Sequence, residues 1–148
     1  MNASKTLALA PIIVWTWPVP SRLGVTKGDL VLEVGYDVDC DEELRAAIKA
    51  ITGTEFLDSD IHEVVDAVIL WWRDGDGDLV DELVDALKYL SETGPIWVLT
   101  PKLGRPYHVE PSEIQDAAPI AGLSQTSTIP IAKDWTATRL VARKASKR

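Results

Sequence analysis

One cysteine, Cys40, stands in a chain of 148 residues. No intramolecular disulfide can form, and no CxxC metal or redox motif exists. Such usage suits a reducing compartment, and the cytoplasm is the expected location. Histidine is almost as scarce, with only His62 and His108. A transition-metal site would have to be completed by carboxylates, so both histidines read as surface or capping residues and no metal is expected. Neither a Walker lysine loop nor a GxSxG elbow occurs, which removes the usual phosphate cradle and the usual serine nucleophile. No apolar run reaches the roughly 20 residues that cross a bilayer as a helix. Basic residues are sparse between 29 and 92, where 19 Asp or Glu face 4 Lys or Arg, a net of −15. An acidic body repels phosphate backbones, so nucleic acid is not expected as a partner.

The remaining charge sits at the two ends, +3 over residues 1–28 and +4 over residues 93–148. "LALAPIIVWTWPVP" (7–20) is apolar but lacks the basic start and small-residue cleavage site of a signal peptide. Residues 1–20 therefore read as an apolar extension laid on the domain surface. A membrane or partner contact through Trp15 and Trp17 is the alternative. Residues 21–144 are long enough for one domain with its own core, and residues 145–148 read as a solvated basic tail. No repeat or linker divides the chain.

Strand and helix patterns alternate along the domain. "DLVLEVG" (29–35) reads as a buried strand, and Leu44, Ala47, Ile48 and Ile51 recur at helical spacing up to the stop at Gly53. "TEFL" is expected as a short second strand and "DSDIHEV" as a helical turn. "DAVILWW" (66–72) is another buried strand, followed by a helix on whose inner face Leu79, Leu83, Ala86, Leu87 and Leu90 fall, with Gly94 as its stop. "PIWVLT" (95–100) is a further strand. A helix opened by Pro111 and closed by Gly122 follows, and then two alternating runs, 123–132 and 135–144, form an antiparallel hairpin around Lys133–Asp134. Strands apolar on both faces and separated by helices imply α/β architecture with an open, largely parallel, Rossmann-like sheet. Val31, Val34, Val68, Leu70, Ile96, Val98 and Leu140 are its expected core.

The acidic stretch "WWRDGDGDLVDEL" admits three readings. As a calcium loop it places Asp74, Asp76 and Asp78 at the first three ligand positions, but Leu79 replaces the required glycine and Asp85 the required glutamate. As a helix start it makes Asp78 the N-cap, with Asp81 and Glu82 favoured by the macrodipole. That second reading leaves Asp74 and Asp76 unexplained. They fit the third, a polar rim, because ligands of open α/β sheets sit outside the carboxyl ends of the strands. Those ends carry Tyr36, Asp37, Arg73, Asp74, Asp76, Thr100, Lys102 and Arg105, flanked by Trp72 and Trp135. These eight are the candidate ligand- or partner-binding residues, with Asp74 and Asp76 expected to face Arg73, Lys102 and Arg105. The rim reads either as a solvated network of ion pairs or as a polar binding site for a peptide or small anion. A binding or regulatory domain would use it to contact a protein partner, and no residue is assigned a catalytic role.

Strand, helix, strand, helix and a closing hairpin resemble the C-terminal half of the class I methyltransferase fold. The resemblance implies an acidic residue and a glycine-rich turn after the first strand, and "EVGYDVD" supplies Glu33 and Gly35. Tyr36, Asp37 and Asp39 stand where small residues are wanted, and the stretch between Phe56 and Val64 is too short for the usual second and third units. The fold is therefore expected without its cofactor site, as a binding or regulatory domain. An enzyme or ligand-binding protein using S-adenosylmethionine or a nucleotide at an unusual site is the alternative. "LEVGYDVDCDEELRAAI", "ILWWRDGDGDLVDEL", "IWVLTPKLGRPYHVEPSEI" and "AGLSQTSTI…DWTATRLV" together resemble the domain of unknown function 3052 family over residues 21–144. That family comprises small proteins of high-GC Gram-positive bacteria. The resemblance implies a fold and a lineage, and it transfers no role to any residue.

Overall fold

Apolar side chains at successive positions build three parallel strands that are covered on both faces. The structure, a computed structural model, describes residues 20–58, 60 and 63–143. The Trp15/Trp17 segment, His62 and the residues after Arg143 lie outside the described residues. After a 3-10 turn at Pro20–Leu23, β1 (Val31–Val34) leads to α1 (Glu42–Thr52) and β2 (Ala67–Trp71) to α2 (Leu79–Leu87). β3 (Pro95–Pro101) then leads to α3 (Pro111–Ile120), and β4 (Leu123–Ile129) and β5 (Trp135–Ala142) close the fold. The sheet order is β1-β2-β3-β5-β4. β1, β2 and β3 are parallel, and β5 runs antiparallel to both of its neighbours.

The two-residue pleat divides the strands between two cores. Leu32, Val68, Leu70, Ile96, Val98 and Leu140 pack beneath α2 and α3. Val31, Ala67, Ile69, Trp71, Trp97 and Leu99 pack on the opposite face, against Leu44 and Ile48 of α1 and against Leu23. Burying each Val, Leu or Ile among them contributes about 1.5–3 kcal/mol. Six of the seven expected core residues are buried; Val34, at the end of the outer strand β1, is half-buried.

"TEFL" does not form a strand. It makes one parallel bridge, Leu57 to Leu32, with Leu57 N–H donating to Val31 O and Leu57 O accepting from Glu33 N–H, both at 2.9 Å. Because β2 holds one side of β1, Leu57 lies on the other. The chain thus leaves on one side of β1 and returns on the opposite side as β2, with α1 and α2 on opposite faces. Such a reversal opens a crevice at the carboxyl ends of β1 and β2, where open α/β sheets receive ligands.

Helix starts follow their caps. Asp41 accepts from Leu44 N–H at 2.8 Å, and Asp78 accepts from Val80 and Asp81 N–H at 2.9 and 3.3 Å. Asp78→Ala is expected to lower stability by about 0.5–2 kcal/mol. This reads as a lower urea midpoint at unchanged slope, and an unshifted midpoint would refute the cap. The end of α2 differs from expectation. It stops at Leu87 instead of running to Gly94, because Val65 N–H donates to Tyr89 O and Val65 bridges Leu90. Pairing with Val65, just ahead of β2, takes these residues out of the helix. Among the described residues, no helix is long and apolar enough to cross a membrane.

Candidate functional site at the carboxyl rim of the sheet

The connection from β1 to α1, residues 35–41, is held by two arginines that arrive from different elements. Arg45, on the first turns of α1, grips Glu33 at the end of β1 with both arms, Nε to Oε2 at 2.7 Å and Nη2 to Oε1 at 2.8 Å. Trp71 Nε1 donates to the same carboxylate at 2.9 Å. The third arm of Arg45 reaches Glu42 at 2.8 Å, and its guanidinium lies 4.1 Å from the Tyr36 ring centre. Tyr36 hydroxyl donates to Glu42. That bond raises the phenol's pKa and holds the Glu42 carboxyl below its usual range, with Arg45 adding to the second effect. Glu33 has therefore spent its oxygens on protein donors.

Arg73 leaves the end of β2 and closes the crevice from the other side. Nε and Nη2 donate to the two oxygens of Asp39 at 2.9 and 2.6 Å. Nη1 donates to Gly35 O at 3.0 Å and lies 3.5 Å from Asp76. Nη2 also meets Cys40 Sγ at 3.4 Å, and the guanidinium sits 5.4 Å from the Trp135 ring. The Arg73 hydrogen bonds hold the Asp39 carboxyl below its ordinary value, and Asp39 in turn raises the guanidinium. Burial pushes the Cys40 thiol up to about 11, so it is a protonated packing group at neutral pH and not a nucleophile. The cleft remaining between Gly35, Tyr36, Trp72 and Arg73 measures about 280 Å³ and adjoins another of about 330 Å³ along Val34, Leu70 and Glu82.

The eight candidate residues divide. Tyr36, Asp37, Asp74, Asp76 and Arg105 are exposed at the rim, and Lys102 is half-buried there. Thr100 is buried, paired across the sheet with Thr136, and is not a rim residue. Strand alternation turns it inward. Trp72 and Trp135 lie beneath the rim and do not flank it openly. Asp76 faces Arg73 as expected, accepting from its backbone N–H at 3.0 Å. Arg105 does not meet Asp74 or Asp76 in any ion pair among the described residues; it lies 3.4 Å from Asp134. The β4–β5 corner brings Asp134 closer than the acidic loop does. His108 is half-buried, its Nδ1 2.9 Å from Pro101 O. Asp74 and Asp76 do not converge with Asp78, which is occupied by helix N–H groups. Among the described residues no three His, Cys, Asp or Glu side chains gather as a metal requires.

Asp39, Arg45 and the exposed Val38, Leu103 and Tyr107 were not legible as site residues. Only Glu33 carried a signal: a carboxylate ending a buried strand requires a cationic or hydrogen-bonding partner. The rim is otherwise tied by backbone. Asp74 N–H donates to Tyr107 O at 3.0 Å and Lys102 N–H to Asp134 O at 2.9 Å. Trp135 Nε1 reaches Asp39 O at 3.3 Å. Four connections are thereby stitched into one surface.

Solved structures of similar fold include methyltransferases. A SAM-dependent methyltransferase from Aquifex aeolicus superposes with a TM-score of 0.55 at 14% identity, over 94% of this chain and 93% of that one. The pyocyanin biosynthetic protein PhzM superposes with a TM-score of 0.60 at 13% identity, over 83% of this chain. This chain spans about half of PhzM, 53% of its length. At such identities the likeness is one of fold. In sequence, the uncharacterized proteins Rv2239c of Mycobacterium tuberculosis and Mb2263c of Mycobacterium bovis are each 53% identical over 124 residues, which cover 84% of this chain and 78% of theirs. Residues 20–144 match the family model described as a protein of unknown function, DUF3052, and the chain belongs to that family.

Proposed function

We propose that the protein is a non-catalytic cytoplasmic binding domain, built on a methyltransferase-like fold, that receives a protein partner on its carboxyl rim. One observation carries the reading: Arg73 sits across the crevice between β1 and β2, its guanidinium on Gly35 O and the Asp39 carboxylate. The residues present do not fit a methyl donor there. Glu33 is engaged by Arg45 and Trp71, and the turn after β1 carries Tyr36, Asp37, Val38 and Asp39 in place of small residues. Glu33, the Gly35 carbonyl and the Asp39 carboxylate are each bound to another part of the protein. No reaction step is derived from such a site.

What the rim offers instead is a fixed surface. Its loops are tied to one another, so little ordering entropy opposes docking. Exposed apolar side chains stand on it beside charges of both signs, a composition of partner surfaces. Calorimetric titration with S-adenosylmethionine, ATP and GTP is expected to give no saturable heat at millimolar ligand. Micromolar binding of any one of them would overturn the reading in favour of an enzyme or ligand-binding protein. A photo-crosslinking side chain at Leu103, at the rim, is expected to capture a protein in cells of the native host. The same group at Val64, at the opposite end of the sheet, is expected to capture none.

A further inference from the structure

Of the seven large apolar side chains that are exposed among the described residues, four stand on the rim: Val38 (91% exposed), Leu103 (82%), Tyr107 (66%) and Tyr36 (49%). They divide evenly. Tyr36 and Val38 belong to the β1–α1 connection, Leu103 and Tyr107 to the β3–α3 connection. Charge divides along the same line. Residues 35–41 and 73–78 hold six carboxylates against Arg73 alone, whereas the neighbouring loop and corner carry Lys102, Arg105 and Lys133 with two carboxylates, Glu110 and Asp134. The rim thus has an acidic half and a basic half, each with one aliphatic residue and one tyrosine. They meet along a seam marked by the hydrogen bonds Asp74 N–H to Tyr107 O and Trp135 Nε1 to Asp39 O.

We propose that the partner this surface fits is a second copy of the chain, docked rim to rim about a two-fold axis through the seam. The proposal rests on the reading of the rim as a protein-docking surface. A two-fold operation places the acidic half of one protomer over the basic half of the other, and the reverse contact follows by symmetry. Val38 and Tyr36 then meet Leu103 and Tyr107 of the partner. An unrelated protein would need its own matching mosaic of sign and apolar position, which a second copy carries by construction. Size is consistent as well: the four rim connections hold 28 residues, within the roughly 20–30 residues a side of a stable interface. Tyr107 adds pre-organisation. It is the one non-glycine residue with positive φ among those described, at 64°, and its carbonyl is anchored by Asp74. A strained backbone held in place by its surroundings is a feature of binding surfaces.

Charge reversal with mixing tests the symmetry directly. One variant carries Asp37→Lys and Asp74→Lys, the other Arg105→Glu and Lys133→Glu; all four side chains are exposed. Sedimentation velocity of the full chain is run from about 0.1 to 100 µM, because interfaces of this size bind at micromolar affinity or tighter. The unmodified protein is expected to dimerise, and each variant to lose about 100-fold in dimer affinity through like-charge contact. An equimolar mixture of the two variants is expected to recover the dimer, since opposite signs again face each other. Leu103→Asp is expected to be monomeric with an unchanged far-ultraviolet circular dichroism spectrum. A protein that is monomeric throughout overturns the proposal, as does a dimer that both charge-reversed variants retain. If the monomeric protein nevertheless crosslinks other proteins through position 103, self-association fails and the docking function stands. Saturable S-adenosylmethionine binding would remove both.

Discussion

Gly35→Ala is expected to destabilise the protein by about 2–5 kcal/mol, combining left-handed backbone strain with overpacking. Gly35 follows the last register pair of β1 and β2, Val34 with Leu70, and stands beside Trp71 at φ 83°. Any residue with a Cβ is strained at that φ. The added methyl would also lie well inside contact distance of the Trp71 carbonyl oxygen, which is backbone and cannot swing away. The same glycine presents its own carbonyl to Arg73 at 3.0 Å, so moving the strand end to relieve the clash would loosen the clasp on the crevice. Equilibrium urea unfolding should show the loss as a lower midpoint at constant slope. A change below about 1 kcal/mol would mean that the two strand ends separate easily, and the closed crevice would no longer support a non-catalytic reading. A bulky residue at position 35 is for the same reason unsuitable as a probe of ligand binding, because it removes the fold along with the site.

The α/β order was legible because β1, β2 and β3 are buried on both faces and so read as unbroken apolar runs. The start of α2 was legible because Asp78 is the right chemical type one position before the apolar spacing begins. The end of α2 was not. Leu90 keeps helical spacing, and only its bridge to Val65, 25 positions earlier in the chain, shows why it leaves the helix. The same limit applies to the rim. Which residues stand at strand ends follows from local pattern, and Tyr36, Asp37, Asp74 and Asp76 are found there. Which charges pair depends on tertiary distance. Arg73 chose Asp39, 34 positions away, over the nearer Asp74, and Arg105 chose Asp134. Thr100 and the two tryptophans were misplaced for a geometric reason: strand ends alternate between rim and interior, and composition does not state the phase.

Arg45→Met is expected to lower stability by about 3 kcal/mol, the low end of the cost of stripping one partner from a buried ion pair. Glu33 and Arg45 side chains are only 7% and 15% exposed, so water cannot replace what the guanidinium supplied. The substitution leaves the Glu33 carboxylate with the single Trp71 Nε1 donor where it had three. It also removes the cation from the Tyr36 ring at 4.1 Å, a contact worth about 0.5–2 kcal/mol. Adding Glu33→Gln should return about 1–3 kcal/mol, because a neutral amide still accepts from Trp71 and leaves no unpaired charge behind. The double variant should therefore be more stable than Arg45→Met alone, a sign reversal that a merely structural loss of side-chain packing would not produce. A double-mutant cycle by urea unfolding measures it. If Arg45→Met costs less than about 1 kcal/mol, the pair behaves as a solvated surface bridge, and Glu33 would be available to a ligand. Beyond stability, the Arg45 clasp sets the position of Tyr36 and, through the same seven-residue connection, of Val38. Arg45→Met should therefore weaken rim docking even under conditions where the domain remains folded.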